Sequence, residues 1–430
     1  MKVAFYTLGC KVNTYETEAI MELFDNKGYE IVDYHDYSDV YIINSCMVTN
    51  SGERKSKQII RRPVSINPNA IIIVMGCLSQ LKAKAMLEIP GVKIVLGTKN
   101  RHKIIDFLQE YIETGKPLDK SERLENNESF ENLEINDFKT HKRAFLKIQE
   151  GCNNFCTYCI IPFTRGRIRS KTKDIILNEV KHLVGKGHIE IVLTGIHTGG
   201  YGEDLNDYSF AALLKDLEKV EGLKRIRISS IEITELDDEV LNVIRKSNKV
   251  VNHLHIPLQS GSERILKSMN RKYKKSDFKT KIQEIRNIFD EIAITTDVIV
   301  GFPGETDEEF QEAYDFIKEI NFQELHVFPY SRRQGTPADK MKGQVNGKVK
   351  KARVHQLLEL SDVLKEEYMK SQLNKTKSII VEQEKDKWYM GHSKDYLSIK
   401  IKSEKNIIGS EVQVMLERID FPNIIASIKN

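Results

Sequence analysis

No apolar run in this chain approaches the length that spans a bilayer, so no membrane association is expected. Nor is there a tail of one charge: 66 Lys and Arg against 62 Asp and Glu leave a net +4, which permits a nucleic-acid partner without arguing for one. No cleavable leader pattern follows MKVAFYTLGC, and a cytoplasmic protein is expected. In that compartment thiols stay reduced, so a disulfide framework is excluded. Tryptophan occurs once, at Trp388, and cysteine only six times in 430 residues. A chain this long, 40% hydrophobic and 30% charged, has the composition of a globular protein of two or three domains.

The few cysteines are not scattered evenly. Cys152, Cys156 and Cys159 form a Cys-x3-Cys-x2-Cys motif in CNNFCTYC, while Cys10, Cys46 and Cys77 lie apart in the first eighty residues. Clustered cysteines in a reducing compartment point to metal binding or catalysis. An iron-sulfur cluster ordinarily takes four thiolates, so a trio leaves one iron free to hold something else.

Apolar runs alternate with helical stretches over residues 1–116, which reads as an α/β domain with a parallel sheet. Cys10, Cys46 and Cys77 each follow a predicted strand (VAFYTL, VYIINS, AIIIVMG). Ligands collect at the carboxyl ends of such strands, so the three can meet at one edge. Residues 117–140 are polar and read as a linker. A second α/β series over 141–370 has six predicted strands (AFLKIQEG, IEIVLTG, KRIRISS, HLHIPLQ, AITTDVIVGF, ELHVFPYS), as in a partial (β/α)6 barrel with its chemistry in the loops after the strands. CNNFCTYC occupies the first of those loops. Short alternating runs over 371–430 suit a small antiparallel β-barrel.

For the compact trio, zinc would want a fourth Cys or His nearby, and a thioredoxin-type pair would leave Cys152 unexplained; spacing favours a cluster. For the dispersed trio, buried cysteines acting as small hydrophobes are the alternative. Placement in three loops directly after strands, beside Gly, Asn or Ser, favours a metal site. Gly195, Gly261, Gly301 and Gly304 recur at the ends of barrel strands, where a missing Cβ lets backbone approach a ligand, although glycine there is often only a turn.

GCNNFCTYCIIPFTRGRIRS resembles the signature loop of radical S-adenosylmethionine (SAM) enzymes. That resemblance implies a [4Fe-4S] cluster on Cys152, Cys156 and Cys159, SAM on its open iron, and a 5′-deoxyadenosyl radical. Gly195, Glu232, Gln259, Ser260, Gly301 and Gly304 are the implied SAM contacts. The cysteine segments TLGCKVN, NSCMVTN and MGCLSQ ahead of this loop, with a β-barrel at the end, resemble the methylthiotransferase family over nearly the whole chain. By that resemblance Cys10, Cys46 and Cys77 hold a second [4Fe-4S] cluster that handles sulfur, and a second SAM methylates the inserted sulfur. An electron donor such as flavodoxin or ferredoxin is implied; the sulfur donor is left open.

TLGCKVNTYETE, LTGIHTGGYGED and FPYSRRQGTPADKM are similar to the branch that acts on N6-threonylcarbamoyladenosine beside the tRNA anticodon, at position 37. The isopentenyladenosine branch tends to have Gln and Met where Lys11 and Val12 stand. Relatives acting on a ribosomal-protein aspartate lack the NNF of the radical loop. Ser45, Leu78 and Ser79 depart from the usual pattern but leave the thiolates intact. A non-catalytic iron-sulfur RNA-binding protein is the reading from another class. For the tRNA anticodon loop, Arg165, Arg167 and Arg169 are expected to line the substrate entrance, with Arg332 and Arg333 after the last barrel strand. Ordinary ion pairing is an equal alternative there. The terminal barrel resembles the TRAM domain, an RNA-binding module, with Lys387 among its candidate contacts. Trp388 serves equally well as a core residue.

Overall fold

The computed structural model describes residues 1–125, 128–138 and 142–429. Strands β1 (Lys2–Thr7), β2 (Glu30–Val32), β3 (Val40–Ser45), β4 (Ile71–Gly76), β5 (Val92–Leu96) and β6 (Leu118–Lys120) form one parallel sheet, ordered β2-β1-β3-β4-β5-β6. The apolar runs can be strands because both sheet faces are covered. Val40, Ile42 and Ile73 enter one core, while Tyr41, Ile43, Ile72 and Val74 enter the other, with the period of two that a strand imposes. Helix Lys11–Asn26 covers the first face through Phe24, and helix Asn50–Arg61 the second through Ile60.

Strand order reverses between β1 and β3, and such a switch point opens a crevice at the carboxyl ends. The register pairs Thr7 with Asn44 and Ser45 with Gly76, so the ends of β1, β3 and β4 are level. Cys10, Cys46 and Cys77 leave the sheet at that edge. The edge strand β2, only three residues long, lies between the first two and is not apparent in the sequence pattern.

The second unit begins with β7 (Ala144–Lys147), followed by a short antiparallel pair, β8 (Gln149–Glu150) and β9 (Arg169–Ser170). β10 (Glu190–Thr194), β11 (Arg225–Ile228), β12 (His253–His255), β13 (Ala293–Val300) and β14 (Glu324–Pro329) complete it. Parallel pairing runs β7-β10-β11 and β12-β13-β14, and a single bridge between Ile226 and Val250 joins the halves into an open barrel. Helix Gly347–Gln372 packs Leu357, Leu360 and Leu364 against it, a spacing that places them on one helical face. The chain ends in a closed five-stranded barrel of β15 (Thr376–Lys385), β16 (Trp388–Ser393), β17 (Ser398–Ile401), β18 (Glu411–Asp420) and β19 (Asn423–Ile428). It is antiparallel except for β17 and β19, which pair in parallel, a departure from the fully antiparallel expectation. None of the described helices is long and apolar enough to cross a membrane.

The stretch expected as a linker is built into the fold. Residues 126–127 and 139–140 of it lie outside the described residues, but β6 extends the first sheet, and Leu133, Ile135 and Phe138 are buried in the core of the second unit. Three apolar residues at irregular spacing show neither strand nor helix periodicity, yet they suffice to anchor an extended strap. Leu133→Ala is expected to cost about 2–5 kcal/mol by leaving a cavity. Urea denaturation followed by circular dichroism reads this as a lower midpoint; an unchanged midpoint would show that the strap does not stabilise the core.

Candidate functional site

The level strand ends bring the first trio together through tight backbone. Gly9 has φ +113°, and a Cβ there would lie 2.9 Å from Asn13 Nδ2 and 3.2 Å from Cys46 Cβ, so only glycine lets the Cys10 loop lie against Cys46. Gly76 has φ +99°, and its Cβ would stand 2.5 Å from Asn44 Oδ1. Cys10 caps helix Lys11–Asn26 and Cys77 opens helix Cys77–Leu87, so both residues stand at helix N-termini. Arg165 Nε donates to Cys77 Sγ at 3.3 Å. Burial pushes the Cys46 thiol up to about 11 and raises Cys10 as well, so metal binding must displace protons. Three converging thiols backed by a guanidinium fit a cluster with one iron left open.

The second trio occupies the loop between β8 and β9. Thr157 fastens its centre, its N–H donating to Met269 O at 3.0 Å and its hydroxyl to Ser268 O at 2.8 Å, while its own carbonyl accepts from Ala338 N at 2.9 Å. Cys159 N donates to Cys156 O at 3.0 Å, tightening the turn that sets both thiols on one side. Burial pushes Cys152 and Cys159 up to about 12. Arg271 donates to Cys156 Sγ at 3.3 Å and pairs with Glu232. These donors and thiols also fit a three-thiolate cluster.

Around this loop, Gly195 ends β10, where a Cβ would stand 2.8 Å from Gln149 Oε1. Gln259 takes φ +65° and is held by a 2.8 Å bond from its N–H to Asp297 O; Ser260 beside it is buried. Gly301 and Gly304 have φ +70° and +78°, and Glu305 braces the turn by accepting the Gly301 N–H at 2.6 Å. Sequence reasoning missed Arg271 and His197. The first comes from a loop 115 residues after Cys156, with no local signal. His197 lies in TGIHTGG, beside Gly195, and bonds Asn154 of the cysteine loop at 3.2 Å. Burial opposes charge on His197, but its contact with Glu235 outweighs burial and holds the imidazole above its ordinary 6.5.

Three of the arginines expected at the RNA entrance are internal instead. Arg165 is fully buried and donates to Glu16 at 2.7 Å, Glu150 at 2.6 Å and Asn13 Oδ1 at 2.7 Å. Arg169 pairs with Glu128 at 3.0 Å and donates to Arg165 O at 2.7 Å. Arg333 clamps the Cys46 loop, donating to Met47 O at 2.9 Å and Glu53 at 3.0 Å. For these three the ion-pairing alternative is what the structure shows, each facing a carboxylate from another segment. Arg167, Arg332 and Lys387 are exposed; Arg167 lies over the Phe155 ring at 4.5 Å.

Glu16 and Arg101 of the first unit meet Lys147, Glu150 and Arg165 of the second, and Glu131 of the strap completes the group. Three cations thus balance three carboxylates. Beside this junction lies a cavity of about 620 Å³, lined by Cys10 and Lys11 from the first unit, Gly195, His253 and Asp297 from the second, and Tyr396 from the third.

This architecture, a cysteine-fronted partial barrel beside an α/β sheet with its own cysteine trio, is that of a radical SAM enzyme with two [4Fe-4S] sites. The Radical SAM superfamily model matches residues 146–317, and that of an uncharacterized protein family, UPF0004, matches residues 2–97. The chain is 49% identical over 98% of its length to the threonylcarbamoyladenosine tRNA methylthiotransferase MtaB of Bacillus subtilis (strain 168), covering 94% of that protein. It is 33% identical, over all of both chains, to the tRNA-2-methylthio-N(6)-dimethylallyladenosine synthase of a Hydrogenobaculum species (strain Y04AAS1). Among solved structures, the radical SAM methyltransferase TsrM of Kitasatospora setae superposes with a TM-score of 0.58 over 78% of this chain and 76% of that one; at 14% identity this likeness concerns the fold alone. The chain belongs to the radical SAM methylthiotransferase family.

Two predictions follow from the buried ion group. Arg165→Met leaves Glu16 and Glu150 short of a cation and should cost about 3–5 kcal/mol in chemical denaturation; a loss below 1 kcal/mol would be at odds with a buried pair. Burial works against Glu150 and Glu131, but Lys147, Arg101 and Arg165 hold the first, and Arg101 and His102 the second, at about 2, below the ordinary 4.5. Folded values below unfolded ones stabilise the protein where both groups are ionised. Stability should therefore decline as pH falls from about 4.5 towards 2 and be insensitive to these two groups above about 5. Denaturation midpoints across that range check it.

Proposed function

We propose that this protein converts N6-threonylcarbamoyladenosine at position 37 of tRNA to its 2-methylthio derivative. The observation that carries the reading is similarity across nearly the entire chain, all three units included, at 49% identity to a protein named for that substrate, against 33–37% to proteins named for dimethylallyladenosine. In this reading residues 1–116 carry Cys10, Cys46 and Cys77 as ligands of the sulfur-handling cluster. Residues 141–370 carry Cys152, Cys156 and Cys159 as ligands of the radical-generating one, and residues 371–430 form a TRAM-like RNA-binding barrel. When bound, the clusters and SAM supply radical hydrogen abstraction, sulfur and a methyl group.

The protein's own side chains hold and orient. Arg271 donates to Cys156 Sγ and Arg165 to Cys77 Sγ. Gly195, Glu232, Gln259, Ser260, Gly301 and Gly304 surround SAM in this reading, with Glu232 fixed by Arg271. Arg167, Arg332 and Lys387 are available to phosphates of the anticodon loop, and exposed Phe155, Phe163 and Phe328 to its unstacked bases. In this reading the protein works in the cytoplasm and takes electrons from a flavodoxin- or ferredoxin-type donor.

Anaerobic reconstitution should load about eight irons per chain, and replacing Cys152, Cys156 and Cys159 by Ala should leave about half. Full iron in that variant would rule out two clusters. Nucleosides of tRNA from a strain lacking the gene should keep threonylcarbamoyladenosine without its methylthio form; loss of methylthio-isopentenyladenosine instead would move the enzyme to the other branch. Reduced protein should cleave SAM to 5′-deoxyadenosine, which a non-catalytic RNA-binding protein would not do.

A further inference from the structure

The cavity between the Cys10 loop and the barrel carries an unmatched positive charge. Lys11 opens helix Lys11–Asn26 and lines the cavity. It has no carboxylate partner among the described residues; burial works against its charge, the Tyr396 phenol favours it, and the Arg143 and Arg227 guanidiniums oppose it. Those arginines are already engaged. Arg227 pairs with Glu190 at 2.7 Å and donates to the carbonyls of Ser393 and Lys394 at 3.2 Å, and Arg143 pairs with Glu382 at 3.0 Å. The acids at the wall are engaged as well: Asp297 lies 3.2 Å from His255 Nε2 and Glu324 2.8 Å from Lys365. Lys11 is the cation left to meet a ligand. The free N–H groups of its helix end add to the preference for an anion.

A second group in the same wall also lacks a partner. His253 is 6% exposed, and its Nδ1 makes no hydrogen bond. Its Nε2 lies 3.1 Å from Thr295 Oγ1, which lies 2.9 Å from His255 Nδ1. His253 and His255 thus share the Thr295 hydroxyl, and His255 Nε2 lies 3.2 Å from Asp297. His253 Nδ1 is left as a buried ring nitrogen without the partner that buried polar atoms ordinarily have. The Tyr396 ring stacks on His253 at 5.1 Å and keeps its orientation.

An ammonium without a carboxylate partner calls for a substituent that carries a carboxylate. A threonylcarbamoyl group has one, whereas an isopentenyl group has none. The geometry points to Lys11 as the residue that binds the substrate carboxylate; this rests on the threonylcarbamoyladenosine reading above. A cavity of about 620 Å³ is within the size range of small-molecule sites.

The test uses the cluster-loaded enzyme without SAM and anticodon stem-loop RNAs bearing threonylcarbamoyladenosine, its carboxylate methyl ester, or isopentenyladenosine. Equilibrium binding by fluorescence anisotropy should favour acid over ester by about tenfold or more in the wild type. Lys11→Met should bring that ratio close to one by weakening the acid alone, and Lys11→Arg should keep most of it. Equal binding of acid and ester by the wild type would overturn the assignment without recourse to any variant, and so would an unchanged ratio in a Lys11→Met protein that still binds RNA. Mass spectrometry of the products with SAM and reductant added separates the two readings. Methylthiolation of the threonylcarbamoyl RNA with no acid preference removes only the carboxylate site, whereas methylthiolation of the isopentenyl RNA alone removes the substrate assignment as well.

Discussion

Six ionised side chains buried at one junction constrain everything around them. Glu16, Arg101, Lys147, Glu150, Arg165 and Glu131 come from the sheet, the barrel and the strap, and most of them are almost wholly withdrawn from solvent. Desolvating a charge is expensive, and attraction at low dielectric offsets the cost only when geometry satisfies every partner. Three cations and three carboxylates meet here, with Arg169 reaching Glu150 at 3.8 Å, so a shift of the units from this mutual placement would separate opposite charges.

That placement matters because Arg165 touches both halves of the site. It ends the short helix after the radical loop, reaches Asn13 and Glu16 beside Cys10, and donates to Cys77 Sγ. The ion group and the first trio are therefore one construction. Arg333 makes the corresponding tie from the last barrel loop to Met47, next to Cys46. Each trio has a guanidinium on one sulfur, Arg165 on Cys77 and Arg271 on Cys156, in protein that raises the pKa of the neighbouring thiols.

The terminal barrel is fixed to the same frame. Arg225 and Arg227 on β11 donate to carbonyls of His392, Ser393 and Lys394, and Arg225 also pairs with Glu411 at 2.9 Å. These bonds seat the turn that carries Tyr396, whose φ of +68° turns its ring over Arg227 and His253. Burial pushes the phenol up, but Arg143, Lys11 and Arg227 outweigh it and hold Tyr396 below its ordinary 10. The terminal barrel thus also supplies part of one wall of the central cavity.

The sequence alone determined what depends on local pattern: apolar runs that must be buried strands, the loop spacing that gathers Cys152, Cys156 and Cys159, and the placement of Cys10, Cys46 and Cys77 directly after strands. It also supplied the family resemblance, because short motifs around fixed ligands survive as strings. Tertiary structure decided which charges face water. Arg165, Arg167 and Arg169 look equivalent along the chain, yet Arg165 and Arg169 turn inward to Glu16, Glu150 and Glu128 while Arg167 stays out on Phe155. Arg271 reaches Cys156 and Leu133 enters the core across separations that no periodicity records. The two cysteine trios are legible because residue type, spacing and position after a strand are local to the sequence. Whether an arginine binds a carboxylate, a sulfur or a phosphate depends on what the fold brings opposite it, and that partner comes from another segment, 15 residues away for Arg165 and Glu150 and 149 for Arg165 and Glu16.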